Sequence, residues 1–208
     1  KERLEKFGLP PLPPYIKRNN ASEIQNAEDR ERYQTCFASK PGAIAAPTAG
    51  LHFTPEILDS ISSRGVEILE VTLHVGLGTF KPIEKEDIRE HNMHSEYFSI
   101  SSNTLSKLQS FKKSRRPIIC LGTTSVRVLE TLAQNNFENN SGWTNLFIYP
   151  PYNFSMVQGL FTNFHLPKST LLIMVSAFYG RKKLLEAYCA AVEEKYRFFS
   201  YGDCMLIL

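Results

Sequence analysis

The stretch Pro47-Thr48-Ala49-Gly50-Leu51-His52-Phe53-Thr54 joins a short run of small apolar residues to an amphipathic run that begins at Pro55. Thr54 suits the residue before a helix and Pro55 the first helical position, so the pattern predicts a strand, a tight loop and a helix. Gly50 lets the backbone approach a ligand closely, and His52 places a titratable ring beside a helix N-terminus. A plain turn with one packed histidine explains the same residues, so other stretches must decide between the two interpretations.

The segment Gly122-Thr123-Thr124-Ser125 repeats this pattern after an apolar run at residues 117–121. Such a run is typical of a strand that is buried on both faces. Hydroxyls of Thr124 and Ser125 at the start of the next helix favour a carboxylate, a phosphate or a ribose oxygen. Arg127 is placed unfavourably for the helix dipole, which indicates that it reaches for an anion or a carboxylate partner. A surface salt bridge explains Arg127 equally well.

Residues 161–170 form a third loop of this kind, before an apolar helix predicted at residues 171–179 that should be buried. Its polar side chains are those of Asn163, His165, Lys168, Ser169 and Thr170. An ammonium, an imidazole and hydroxyls beside a helix N-terminus are predicted to bind anionic or polar oxygens. The plainer alternative is that Lys168 is only solvated and Ser169 only caps the helix.

A glycine-rich turn ends the strongly β-prone run at residues 68–75. His74 stands just before it, and Gly76 and Gly78 give it a Gly-x-Gly spacing. This is a weak phosphate-loop pattern, because Lys81 occupies the position of the third glycine in a dinucleotide fingerprint. The turn therefore predicts only a strand that ends in a glycine-rich loop.

Two histidines and a carboxylate, His91, His94 and Glu96, lie within six residues of each other. They could suggest a metal-dependent hydrolase, but the sequence has no second cluster with ligand spacing and no His-Glu-x-x-His. A polar active-site loop or a surface loop explains them better. We therefore expect no metal.

Strand–loop–helix units recur at least three times, which predicts an α/β layered domain. We expect a mixed, largely parallel sheet flanked by helices, with strands at residues 68–75, 118–121 and 146–149. Residues 1–27 are predicted to form an extended, proline-rich strap and a loop, and residues 28–208 the globular part. Loops at strand ends build ligand sites in such sheets. One cleft should therefore bring together His52, His74, Thr124, Arg127, His165 and Lys168.

The composition of the 208 residues is that of an ordinary globular protein, with 42% hydrophobic residues and a net charge of +3. This charge does not by itself indicate nucleic-acid binding, and the basic clusters at residues 107–116 and 181–183 suit either a solvated face or a phosphate contact. The four cysteines lack paired spacing and are predicted to be free thiols in a reducing compartment. Without a signal peptide or an apolar run near 18 residues, we expect a cytoplasmic protein with no membrane partner.

Six blocks that carry these motifs occur in order along the chain, at residues 46–54, 73–80, 94–96, 122–127, 162–172 and 196–203. Together they resemble the S-adenosylmethionine:tRNA ribosyltransferase-isomerase family of queuosine biosynthesis. The resemblance implies that the chain is the C-terminal portion of the family's main α/β catalytic domain. It also implies that the N-terminal segment and an inserted β-barrel domain of that family have no counterpart here.

The resemblance implies a reaction in which the ribosyl group of S-adenosylmethionine moves onto 7-aminomethyl-7-deazaguanine at the tRNA wobble position. The product is epoxyqueuosine, and adenine and methionine leave. S-adenosylmethionine is thus a co-substrate, no cofactor is bound permanently, and the partner is a tRNA with a queuosine-pathway wobble base. We expect the protein to be a monomer.

Such chemistry needs a base, an acid, and groups that hold the ribose and the carboxylate. The candidates for proton transfer are His52, His74, Glu96 and His165. The candidates for binding substrate are Thr48, Gly50, Gly76, Gly78, Thr124, Ser125, Arg127, Asn163, Lys168, Ser169 and Thr170. The sequence does not assign base and acid among the histidines. The alternative function is that of a truncated, non-catalytic module of the same fold that binds a nucleoside or RNA.

Overall fold

The computed structural model describes residues 11–18, 23–76, 78 and 82–208. Its helices are α1 (Glu23–Arg32), α2 (Pro55–Ser63), α3 (Ser102–Ser114), α4 (Thr123–Gln134), α5 (Thr170–Tyr179) and α6 (Arg181–Glu193), with 3-10 helices at Thr48–His52 and Ile88–Glu90. Its strands are β1 (Thr72–His74), β2 (Glu96–Ser99), β3 (Ile119–Leu121), β4 (Ser141–Thr144), β5 (Gly159–Asn163) and β6 (Cys204–Ile207). The predicted mixture of α and β structure is confirmed.

The described strands form two three-stranded sheets, in the orders β1-β2-β4 and β3-β5-β6. The first sheet is antiparallel throughout, and it pairs His74 with Tyr97 and Tyr97 with Trp143. In the second sheet β3 and β5 are parallel, whereas β5 and β6 are antiparallel. The prediction of a largely parallel sheet is therefore wrong for the described strands. Only the β3–β5 connection contains a crossover helix, α4, of the kind that parallel neighbours require.

The predicted strand at residues 146–149 is also wrong, because the chain is irregular there and β4 ends at Thr144. The hydroxyl of Thr144 accepts a hydrogen bond from the backbone N–H of Leu146, 3.2 Å away, as the chain leaves the sheet. Ile148 is 1% exposed. The apolar character of this segment thus reflects packing in the core rather than strand pairing.

Two helices begin after capping residues that can be recognised in the sequence. The hydroxyl of Thr54 accepts a hydrogen bond from Ile57 N–H at the start of α2, and Ser169 caps α5 in the same way through Leu172 N–H. Helix α5 is confirmed, with Met174 and Val175 buried and most of its other residues half-buried. Helix α1 begins at Glu23, inside the loop predicted before residue 28, because its residues are mostly good helix formers.

Helix α4 lies at the centre of the hydrophobic core. All residues from Val126 to Ala133 are buried, including the charged Arg127 and Glu130. Glu130 is 1% exposed and accepts hydrogen bonds from the backbone N–H groups of Ser155 and Met156. Because α4 is held on every side, its N-terminus is a fixed element on which a binding site can be built.

Candidate functional site

A cavity of about 330 Å³ opens beside the N-terminus of α4. Its walls come from the 3-10 helix at Thr48–His52, the start of α4, the end of β5 with the following loop, and an aromatic patch near the two ends of the chain. The volume lies within the range of small-molecule pockets. Six of the predicted site residues line it: Thr48, Thr124, Arg127, Asn163, His165 and Ser169.

The α4 N-terminus presents polar backbone to this cavity. Gly122 precedes the helix with φ 85°, a conformation that favours glycine, and supplies no side-chain cap. The hydroxyl of Ser125 donates to the carbonyl of Leu121 at 2.8 Å, so it serves the helix itself. Thr123 and Thr124 line the cavity at the positive end of the helix dipole. This arrangement favours a negatively charged group of a ligand.

Arg127, also in the cavity wall, forms an ion pair with Glu96, and both residues are 4% exposed. The other carboxylate oxygen of Glu96 accepts a hydrogen bond from the backbone N–H of Gly76 at 3.1 Å. Of the alternatives for Arg127, the structure shows the carboxylate partner. The guanidinium Nε has no hydrogen-bond partner among the described residues. Glu96 thus connects the glycine-rich turn to a cation at the cavity.

Thr48 and Asn163 form a polar pair in the same wall. The Thr48 hydroxyl donates to Asn163 Oδ1 at 2.9 Å, and Asn163 is 3% exposed. Asn163 Nδ2 has no partner within the part of the chain that the structure describes. A buried donor without an acceptor costs roughly 1–3 kcal/mol. The pair is therefore suited to meet an oxygen or nitrogen acceptor of a ligand.

His165 is the only histidine that lines the cavity among the residues described. Its Nε2 lies 2.6 Å from the Thr162 hydroxyl, and its backbone N–H donates to the Tyr188 hydroxyl at 2.7 Å. Burial of the ring lowers its pKa to about 4. The imidazole is therefore neutral near pH 7, and it can accept a proton but does not supply one as an imidazolium.

Three residues predicted to converge on this cleft, His52, His74 and Lys168, do not line the cavity. His74 instead stacks on Tyr97 with a ring distance of 6.0 Å, and its ring fills the space where a side chain of Gly42 would stand. Lys168 is exposed and has φ 58°, and its carbonyl accepts a hydrogen bond from Ile83 N–H. The turn at Lys168 directs this residue away although its neighbours Pro167 and Ser169 line the cavity.

Most of the remaining predicted binding residues serve the fold at their observed positions. A Cβ on Gly50 would lie 2.7 Å from the Phe37 ring, so this glycine permits close packing rather than ligand approach. Gly78 packs against the His94 ring in the same way. The Ser169 hydroxyl donates to the Leu166 carbonyl while capping α5, and Thr170 is buried in the first turn of that helix.

The interpretation of His91, His94 and Glu96 as metal ligands finds no support in the geometry. The Glu96 carboxylate is bonded to Arg127 and Gly76, and the His91 ring packs on Phe147 at 5.2 Å. Within the described residues, no group of three or more histidine, cysteine, aspartate or glutamate side chains is arranged to hold a metal ion.

None of the helices described is long and apolar enough to cross a membrane.

An aromatic part of the cavity wall is not among the predicted site residues. Tyr15, Tyr33 and Phe199 line it together with Ser200. Tyr15 follows directly on the proline run, and Phe199 and Ser200 belong to the block at residues 196–203. An aromatic residue that ends a rigid proline segment was a usable signal, but its partner lies 184 positions later in the chain.

Comparison with known proteins identifies a consistent set of relatives. A family model described as queuosine biosynthesis protein matches residues 1–207. The S-adenosylmethionine:tRNA ribosyltransferase-isomerase of Sulfurihydrogenibium sp. (strain YO3AOP1) is 54% identical over 208 residues, which are 100% of this chain and 60% of that protein. The protein of the same name from Staphylococcus haemolyticus is 52% identical over 209 residues, covering 100% of this chain and 59% of the relative.

A solved structure is similar as well. The crystal structure of S-adenosylmethionine tRNA ribosyltransferase from Thermotoga maritima is 44% identical, with a TM-score of 0.63. The similarity covers 77% of this chain and 51% of that one. The chain spans about 60% of the length of the curated relatives it matches.

Proposed function

Because the chain belongs to the queuosine biosynthesis protein family, we propose that it acts as an S-adenosylmethionine:tRNA ribosyltransferase-isomerase. The substrates are S-adenosylmethionine and a tRNA that carries 7-aminomethyl-7-deazaguanine at the wobble position, and the product is epoxyqueuosine-tRNA. The observation that carries the proposal is the cavity, which combines an uncapped helix N-terminus, a buried arginine, an unsatisfied amide and a neutral histidine.

The reaction defines what this cavity must bind. A bond forms between the aminomethyl nitrogen and the ribosyl group. The bonds from that group to adenine and to the methionine sulfur break, and each leaving group takes the bonding electrons. A proton beside the sulfonium must be removed, and its electron pair closes the carbon ring as the ribose C–O bond opens and that oxygen displaces the methionine sulfur to form the epoxide. The amine also loses a proton, and adenine gains one as it leaves. The protein therefore has to hold a carboxylate and a ribose diol, and to place a proton acceptor near the reacting carbon.

We assign the methionine carboxylate to the N-terminus of α4 and to Arg127. Thr123 and Thr124 stand at the positive end of the helix, and the guanidinium of Arg127, whose Nε has no partner among the described residues, lies in the same wall. Because Arg127 already has Glu96 as a partner, the ligand does not have to compensate an isolated buried cation. In this assignment Glu96 is a positioning residue that orients Arg127 and Gly76, rather than the general acid or base.

The ribose and the proton transfer are assigned to the end of β5. The Nδ2 of Asn163 lacks an acceptor, and the Thr48 hydroxyl holds that amide in place, so the pair suits a ribose oxygen. His165 is assigned as the proton acceptor, because it is the histidine that lines the cavity among the described residues and its ring is neutral near pH 7. His52 and His74 stand outside the cavity and receive no proton-transfer role. The exposed Lys168 is assigned to a tRNA phosphate.

Turnover of a defined tRNA tests this function. The purified protein is incubated with S-adenosylmethionine and a tRNA that carries the aminomethyl deazaguanine, and nucleosides are analysed by mass spectrometry. Epoxyqueuosine should form with an equal amount of free adenine. S-adenosylhomocysteine, which has no sulfonium, should give neither product. Binding of S-adenosylmethionine without any turnover would instead favour the non-catalytic binding module.

A further inference from the structure

Residues 13–18, here called the strap, are fastened to the protein at both ends. Pro13 is less than 2% exposed and so packs against the protein at one end, and a turn inside the strap is closed by a hydrogen bond from Ile16 N–H to the Pro13 carbonyl at 2.9 Å. At the other end, Arg18 pairs with Asp29 through two hydrogen bonds of 2.7 and 2.9 Å. The strap therefore holds its central residue, Tyr15, in a defined position.

Tyr15 connects the strap to the C-terminal part of the chain. Its hydroxyl is hydrogen-bonded to the hydroxyl of Ser200, and its ring centroid lies 5.2 Å from that of Phe199. All three residues line the cavity. Two aromatic rings from opposite ends of the sequence thus form one wall of the same pocket that contains Arg127 and Asn163.

The cavity wall has two chemical characters. Thr124, Arg127 and Asn163 present charge and hydrogen-bonding groups, whereas Tyr15 and Phe199 present rings. A ligand that matches both has an anionic or hydroxylated part and a flat ring. A purine nucleoside meets the second requirement, because stacking of a base on aromatic side chains contributes roughly 1–3 kcal/mol.

We propose that Tyr15 and Phe199 form the subsite for the purine of the adenine nucleoside co-substrate. The inference rests on the proposed function, because it assumes that S-adenosylmethionine binds in this cavity. The strap contributes by preorganising the Tyr15 ring, so that little side-chain entropy is lost when the purine stacks. The hydrogen bond to Ser200 fixes the phenol end of that ring.

A competing use of the same rings is attraction of a cation. The sulfonium of S-adenosylmethionine carries a positive charge, and aromatic faces attract such charges. The two uses differ in what they require of the ligand. Stacking acts on every ligand that contains adenine, whereas cation–π attraction acts only on the charged sulfonium form.

Calorimetric titration distinguishes purine stacking from cation–π attraction. S-adenosylmethionine, S-adenosylhomocysteine, which lacks the sulfonium charge, and adenosine are titrated into the wild type, Tyr15→Leu and Tyr15→Phe. We expect Tyr15→Leu to lower the affinity for each of the three ligands about tenfold or more, which is roughly 1.4 kcal/mol. Tyr15→Phe keeps the ring, so its affinity for each ligand should stay within threefold of the wild-type value. Trp143→Leu, which alters an exposed aromatic residue that does not line the cavity, is the matched control and should bind all three normally.

A fluorescence measurement keeps the inference testable if Tyr15→Leu does not fold. Trp143 is the single tryptophan of the protein. In a Trp143→Phe background, Tyr15→Trp places the only indole in the proposed subsite. Adenosine and S-adenosylhomocysteine should both quench its emission, and methionine should not.

The outcomes distinguish a failure of the purine subsite from a failure of the proposed function. Loss of affinity for S-adenosylmethionine alone in Tyr15→Leu would overturn purine stacking in favour of cation–π attraction. Unchanged affinity for all three ligands, or an indole at position 15 that adenosine does not quench, would remove Tyr15 from the site. A wild-type protein that binds neither S-adenosylmethionine nor S-adenosylhomocysteine would overturn the proposed function itself.

Discussion

Arg127 and Glu96 form an ion pair whose side chains are only 5% and 4% exposed. Their partners extend it in two directions, to the backbone N–H of Gly76 and to the carbonyl of Thr144. Removal of one member of a buried pair leaves the other charge without compensation, which costs more than the pair itself contributes. The stability of this part of the fold and the orientation of a cation at the cavity therefore depend on the same contact.

Glu96→Ala should lower the free energy of unfolding by about 3–5 kcal/mol, because Arg127 then remains buried and unpaired. Urea denaturation measures the loss. Glu67→Ala is the matched control, since Glu67 pairs with Lys107 and Arg116 at side-chain exposures of 30%, 40% and 44%. That substitution should lower the free energy of unfolding far less, because an exposed ion pair contributes little to stability. Equal losses in the two variants would show that the Arg127–Glu96 pair contributes no more than a surface contact.

Glu96→Gln tests whether this carboxylate positions Arg127 or transfers a proton. The amide can still accept from Gly76 and face Arg127, but it lacks the charge that holds the guanidinium. A positioning role predicts a raised KM for S-adenosylmethionine, about tenfold, with an unchanged shape of the pH–rate profile. A profile that loses one limb in this variant would return Glu96 to the set of acid–base groups.

Thr48→Val should weaken S-adenosylmethionine binding about tenfold, roughly 1.4 kcal/mol, in a calorimetric titration. Without the hydroxyl that donates to Asn163 Oδ1, the amide is free to rotate and Nδ2 is no longer presented as a fixed donor. Thr131→Val is the control, because it removes a buried hydroxyl pair with Thr144 that does not line the cavity. Comparable loss of affinity in both variants would mean that general destabilisation, not the Thr48–Asn163 pair, is responsible.

The sequence was informative where local chemistry determines local structure. Thr54 and Ser169 indicated two helix starts that the structure confirms, and the hydroxyl-rich segment before α4 predicted a polar helix N-terminus. These features depend on neighbours within four residues of each other. Sequence patterns therefore located the loops from which much of the cavity is built.

Contacts between residues that lie far apart in the sequence could not be predicted from it, for a physical reason. The backbone turn at Lys168 and the stacking of His74 on Tyr97 determine where those side chains point, and neither follows from spacing along the chain. The predicted convergence of His74 and Lys168 failed on this account. Likewise, the apolar residues before Tyr149 could serve either a strand or the core, and only packing against α4 and its surroundings decides between them.

Lys168→Met should leave the affinity for S-adenosylmethionine within twofold of the wild type, because the exposed ammonium does not line the cavity. Because the ammonium is assigned to a phosphate of the tRNA, the variant should raise the Kd for tRNA severalfold at low salt and show a shallower dependence of binding on salt concentration. Filter binding at two ionic strengths measures this. Lys40→Met, which removes an exposed cation outside the two basic clusters, is the control and should leave both properties unchanged. Loss of S-adenosylmethionine affinity in Lys168→Met would place the ammonium in the cavity instead.

His165 should make the stability of the protein depend on pH in a defined window. Burial lowers its pKa in the folded state to about 4, from the ordinary value of 6.5. Between these two values the unfolded chain binds a proton that the folded protein does not, so the folded state loses stability as the pH falls from 6.5 towards 4. Below pH 4 both states are protonated, and this contribution stops changing. The full loss is on the order of 3 kcal/mol.

Urea denaturation at pH 7.0, 5.5 and 4.5 measures this contribution in the wild type and in His165→Gln. The glutamine retains a hydrogen-bonding group for Thr162 but does not titrate, so its stability should fall less steeply over the same range. His94→Gln is the control, because it makes the same exchange at an exposed residue outside the cavity. Identical slopes in His165→Gln and the wild type would show that His165 takes up its proton equally well in both states. In that case burial would not lower the pKa of this ring in the folded protein.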